Sequence, residues 1–109
     1  MTIKFLTKKN KNLAYSAKAG STFTLVFLGG FMSDMMGSKA THLEEWAEKN
    51  HYGFLRFDYS GHGQSSGTFQ NCTISDWVQD AYEMITEKTK GPIILIGSSM
   101  GGWISFIIC

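Results

Sequence analysis

The stretch Ile93-Ile94-Leu95-Ile96-Gly97-Ser98-Ser99-Met100-Gly101-Gly102 runs from an apolar segment, through a serine flanked by glycines, into the start of a helical pattern. Gly97, Ser99 and Gly101 fit G-x-S-x-G, a pattern that constrains the backbone more than any other segment of the chain. A serine at the apex of a tight strand-to-helix turn sits in strained geometry, so the residues two before and two after it must be small. Such a turn lifts the Ser99 hydroxyl above the end of a buried strand. The helix N-terminus beside it offers free N–H groups and a positive dipole end. Phosphate-binding readings of the glycines fail, because the sequence has no G-K-[ST] and no G-x-G-x-x-G with an acidic ribose partner.

The rest of the chain supplies the frame that this turn needs. Alternation over Ile3–Leu6 and Leu13–Ala17 predicts two short strands joined by a Lys/Asn turn. Thr24–Leu28 is continuously apolar, as a strand covered on both faces should be, and it stops at Gly29-Gly30. Ser38–Asn50 turns helical, with Ala40, Leu43, Trp46 and Ala47 on one face and Glu44, Glu45, Glu48 and Lys49 mostly off it. Phe54–Phe57 and Ile93–Ile96 read as further buried strands, and Asp58–Gln70 as loop. Between them lies a second helix, capped by Thr73 or Ser75, that buries Trp77, Val78, Ala81, Met84 and Ile85. Buried strands separated by amphipathic helices predict an α/β fold, with a mostly parallel sheet and helices on both faces. The final helix is apolar all round, and the chain is expected to stop in mid-fold. Residues 1–109 are therefore read as one partial domain.

Two further segments bear on chemistry. Leu28-Gly29-Gly30-Phe31 ends the third strand, where glycines let the backbone approach a substrate carbonyl. The Met100 N–H is predicted as one donor to charge developing on that oxygen, and the Phe31 N–H as the second. In Phe57-Asp58-Tyr59-Ser60-Gly61-His62-Gly63-Gln64-Ser65 the glycines suit a sharp loop, and Asp58 and Ser65 can tie it together. This loop is read as scaffold for the pocket rim.

Composition narrows the remaining classes. With 43% hydrophobic residues, 17% charged residues and a net charge of +1, the chain is an ordinary globular sequence with no footprint for nucleic acid or acidic membranes. No run approaches the roughly 20 apolar residues of a membrane span. Lys8, Lys9 and Lys11 are read as a solvated turn. The two cysteines, Cys72 and Cys109, form no CxxC and no zinc spacing, so reduced thiols and no metal or other cofactor are expected. With no leader pattern at the start, a cytoplasmic placement is expected.

Taken in order, the segments Gly30–Ala40, Arg56–Gly61 and Gly97–Trp103 resemble the α/β-hydrolase superfamily. They are most similar to the branch containing the mitochondrial palmitoyl-protein thioesterase and acyl-glucuronide esterase with its bacterial relatives. The likeness runs from about Phe23 to Cys109. It implies a serine hydrolase of small-molecule acyl esters or thioesters, with Ser99 as nucleophile and Phe31 and Met100 as backbone donors. It also implies the N-terminal half of the fold, truncated after the elbow turn. Gly29 stands where many relatives carry His or Pro.

The superfamily order is serine, then acid, then histidine, and neither of the latter two follows Ser99 here. His42 is expected to face solvent, His51 to end a helix, and His62 to lie nearest the pocket of the three; none is expected to complete a triad. The alternative expectation is a catalytically inactive remnant of a truncated or split gene, or a half-domain completed by a second, C-terminal chain. Alone, the chain is expected to be poorly soluble and to show negligible esterase activity.

Overall fold

The computed structural model describes residues 2–109. The elements run β1 (Lys4–Lys8), β2 (Lys11–Lys18), β3 (Thr24–Leu28), α1 (Ser38–Lys49), β4 (Gly53–Phe57), α2 (Ile74–Lys88), β5 (Ile93–Gly97) and α3 (Met100–Ile108). This is the order read from the sequence. A short 3-10 turn at Phe69–Asn71 interrupts the long loop.

The strands form one sheet in the order β1-β2-β4-β3-β5. Its parallel part is β4-β3-β5, and the β1-β2 hairpin extends it antiparallel along β4. Lys9 and Asn10 both take positive φ (50° and 66°), the geometry of a tight hairpin turn matched to strand twist. The neighbouring lysines reach back to α2, where Lys8 Nζ donates to Glu87 (3.0 Å) and Lys11 Nζ to Asp80 (3.1 Å).

Strand alternation divides the core between two faces. Val26, Leu28, Leu55 and Phe57 pack with Trp77, Ala81 and Met84 of α2 and Ile104 of α3. Leu25, Phe27 and Phe54 pack on Ala40 and Ala47 of α1. Helices therefore cover both faces, and β3 is buried on each, as its unbroken apolar run predicts. Thr73 caps α2 in a reciprocal box with Asp76, which accepts from the Thr73 N–H at 2.8 Å.

Three expectations change on contact with the fold. Glu44 is buried, because Arg56 of β4 lies beneath α1, with Nε 3.3 Å from Glu44 Oε1. Trp46 is half exposed and leans instead on Tyr52, 5.4 Å away between ring centroids. The run Ile93–Ile96 is only partly buried, since β5 pairs with β3 alone and leaves Ile94 46% exposed. Trp103, Phe106 and Ile107 of α3 are exposed too, giving this side an apolar face beside an unpaired strand edge. No helix among the described residues is long and apolar enough to cross a membrane.

Candidate active site

The turn at residues 97–101 has the strain that its sequence predicts. Ser99 is the N-cap of α3 at φ 56°, ψ −118°, a conformation that L-residues rarely adopt. A Cβ on Gly97 would lie 2.4 Å from the backbone of Gly101, and one on Gly101 would lie 1.8 Å from the Leu28 carbonyl oxygen. Neither position has room for a side chain. The end of β3 and the start of α3 touch backbone to backbone, and Ser98 N–H donates to Leu28 O at 3.0 Å.

Ser99 is exposed at the floor of an open depression of about 530 Å³. Phe27, Leu43 and Ile96 supply its apolar lining, and Lys39 and His42 of α1 its polar side chains. Lys39 Nζ donates to Ser98 Oγ at 3.2 Å. Gly30 lies against the elbow, where a Cβ would come 3.5 Å from Ser99 Cβ. Among the described residues, neither the Phe31 N–H nor the Met100 N–H donates to any protein group. Both N–H groups are thus free, a condition that any donor to charge developing on a carbonyl oxygen must meet.

The Ser99 hydroxyl itself has no hydrogen-bond partner among the described residues, so no general base is seated on it. His42 is exposed, as expected, but it is the histidine that shares the depression with Ser99. His62, expected nearest the pocket, is 4% exposed and fully engaged elsewhere. Its Nε2 accepts from the Met32 N–H at 3.1 Å and its Nδ1 faces Ser60 O at 3.1 Å, an arrangement that places the proton on Nδ1. His51 follows the end of α1 at φ 62°.

The loop after β4 does more than form a rim. Asp58 accepts from Met35 N–H (2.7 Å) and Gln64 N–H (3.0 Å), and Ser65 Oγ donates to Asp58 O (2.7 Å). Burial pushes the Asp58 carboxyl above its ordinary pKa, while the two backbone donors pull the other way. Arg56 Nη1 donates to Met35 O (3.2 Å), and the Tyr59 hydroxyl donates to Gly29 O (3.0 Å). Sequence reading found Asp58 and Ser65 but missed Arg56, Tyr59 and His62 as holders of the loop after β3. Polar residues at alternate positions 56, 58, 60 and 62, running on from a buried strand, were the available signal. Burial and then the charges of Asp76 and Asp80 push the Cys72 thiol up, away from the thiolate form.

The profile of the family described as serine aminopeptidase, S33 (Hydrolase_4), matches residues 23–109. The mitochondrial palmitoyl-protein thioesterase ABHD10 of Bos taurus is 40% identical over 106 residues, covering 96% of this chain and 35% of that protein. The structure of alpha/beta hydrolase domain-containing protein 10 from mouse superposes with a TM-score of 0.95 at 38% identity, covering 98% of this chain and 43% of that one. Est1E from Butyrivibrio proteoclasticus shares the fold, with a TM-score of 0.80 at 20% identity over 94% of this chain and 45% of its own. The chain spans about 35% of the length of these ABHD10 relatives. Those relatives are named as mitochondrial, which overturns the cytoplasmic expectation. Free thiols fit any reducing compartment, so cysteine usage could not have singled out the cytosol.

Proposed function

The chain belongs to the serine aminopeptidase S33 family of α/β-hydrolases, and from that premise we propose that Ser99 is the nucleophile of a hydrolase of acyl esters or thioesters. The observation that carries the proposal is the strained, exposed serine together with two unpartnered N–H groups. Ser99 Oγ attacks the acyl carbon, the carbonyl oxygen turns toward the Phe31 and Met100 N–H groups, and the alcohol or thiol leaves. Water then releases the acid and frees the serine. The apolar lining of Phe27, Leu43 and Ile96 suits a hydrocarbon acyl chain. A thioester substrate is supported by the name of the ABHD10 relatives, palmitoyl-protein thioesterase.

Residues 1–109 are, on this reading, part of an α/β-hydrolase domain whose proton-transfer groups come from other polypeptide, either further along a longer protein or in a second chain. The absence of any base bonded to Ser99 supports this, as do the unpaired β5 edge and the exposed apolar face of α3. In the 109-residue chain, Ser99 keeps its donors but must lose its proton to solvent. Donor sites without a triad still retain on the order of 10³-fold acceleration over water. Turnover of a p-nitrophenyl ester by this chain is expected to be slow and to rise with added imidazole, which supplies the base. The Ser99→Ala variant should show only the rate of imidazole in buffer. Equal, imidazole-dependent rates in the chain and the variant would sink the assignment of Ser99.

A further inference from the structure

We infer that Tyr59 and His62 are positioning residues of the oxyanion site: from one loop they grip the backbone on either side of the Phe31 N–H and fix where it points. This rests on the reading of Phe31 as a donor, and it names what holds that donor in place.

The need for such a grip is set by the sequence. Gly29 and Gly30 carry no side chains to anchor them, so the peptide bearing the Phe31 N–H is free to flip unless its neighbours are held. Three successive peptides meet this need in different ways. The Gly29 carbonyl, on the first, accepts from the Tyr59 hydroxyl at 3.0 Å. The second joins Gly30 to Phe31; Gly30 O accepts from Ser33 N–H at 3.2 Å, which turns the Phe31 N–H the opposite way across a trans peptide. The third carries the Met32 N–H, which donates to His62 Nε2 at 3.1 Å. A peptide flips only by counter-rotating the bonds on both its flanks, and here both flanking peptides are tied to side chains of one loop.

The grip is itself rigid. Both Tyr59 and His62 are buried, and the His62 ring stands edge-on to Trp77 at 5.1 Å and to Phe69 at 5.2 Å. Its far nitrogen is fixed by Ser60 O, and Ser60 N–H is held in turn by Asp80 Oδ2 at 2.7 Å. Phe31 packs its own ring on the same aromatic group, 5.0 Å from Phe69 and 5.8 Å from Trp77. Burial pushes the Tyr59 phenol far above its ordinary pKa, so its O–H remains a donor wherever the protein is folded. Met32 pays for the arrangement with a positive φ of 60°.

The test compares three variants by Ser99 labelling with a fluorophosphonate ester, whose P=O oxygen must occupy the oxyanion position. His62→Leu leaves the Met32 N–H without an acceptor, and labelling should slow by about tenfold or more, the scale of a misplaced donor. His62→Gln sets an amide oxygen near the place of Nε2 and should label within about threefold of the parent. Tyr59→Phe removes the other grip and should fall between the two. Hydrogen exchange read by mass spectrometry should quicken over residues 29–36 in His62→Leu but not over α2, which separates a loosened loop from a failing fold. Labelling of His62→Leu at the parent rate, or of His62→Gln as slowly as His62→Leu, would overturn the inference and leave Ser99 as nucleophile intact. A label that persists in Ser99→Ala, or a parent protein that takes none even with imidazole supplied as the base, removes the Ser99 reading and this inference with it.

Discussion

Gly101→Ala destabilises the protein by about 4 kcal/mol or more, a loss at the far end of the range for single substitutions. The cause is local and backbone-on-backbone: the new methyl would lie 1.8 Å from Leu28 O, 2.5 Å from Leu28 C and 2.7 Å from Gly29 O. No side-chain rotation relieves such a contact, so either α3 lifts from the sheet or β3 gives up its final residue. Both outcomes separate the Met100 donor from the Phe31 donor. Gly29→Ala is the control, since its methyl would meet nothing nearer than the Phe27 ring at 3.9 Å. That change should stay within about 0.5 kcal/mol of the parent. Urea midpoints of the two variants, measured beside the parent, check the contrast. Tolerance of alanine at position 101 would mean that β3 and α3 do not meet as described.

Arg56→Met has the next largest expected effect. Arg56 is 3% exposed and answers three groups at once: Glu44, Met35 O at 3.2 Å and Thr41 Oγ1 at 3.3 Å. Its removal leaves Glu44, itself only 8% exposed in the parent, with Lys18 Nζ at 3.5 Å as the remaining cation. Breaking one side of a buried pair costs roughly 3–5 kcal/mol, and Lys18 should hold the loss near the lower bound. Adding Glu44→Leu to Arg56→Met removes the orphaned charge and should recover more than half of the loss. Full recovery is not expected, because Met35 O and Thr41 Oγ1 still lack their donor, an omission worth about 1 kcal/mol each. The double-mutant cycle in urea measures the coupling. Strictly additive losses would show that the pair does not act as one unit.

These two cases mark where the sequence was informative. Steric demands within a few residues are legible, so the glycines at 97 and 101, a cap at Thr73 or Ser75 and the apolar run of β3 could be read directly. The order of the elements followed from the change in hydrophobic period between strands and helices. What stayed hidden depends on which strands become neighbours. Glu44 reads as a surface residue until β4 places Arg56 under α1, and a run of isoleucines reads as a covered strand until the sheet leaves β5 with one partner. The same applies at the site. His62 and Met32 are thirty positions apart and meet only because β4 lies beside β3. The histidine expected nearest the pocket is therefore an acceptor inside the scaffold, while His42 reaches the depression from α1.

On the proposed mechanism Ser99 forms the covalent bond while the Phe31 and Met100 N–H groups receive the oxygen. This is tested most directly by a crystal structure of the fluorophosphonate adduct. Phosphorus is expected on Ser99 Oγ, with the phosphonyl oxygen about 2.7–3.1 Å from both backbone nitrogens. Phosphorus on any other side chain, or an oxygen turned into solvent away from Phe31 and Met100, would contradict it.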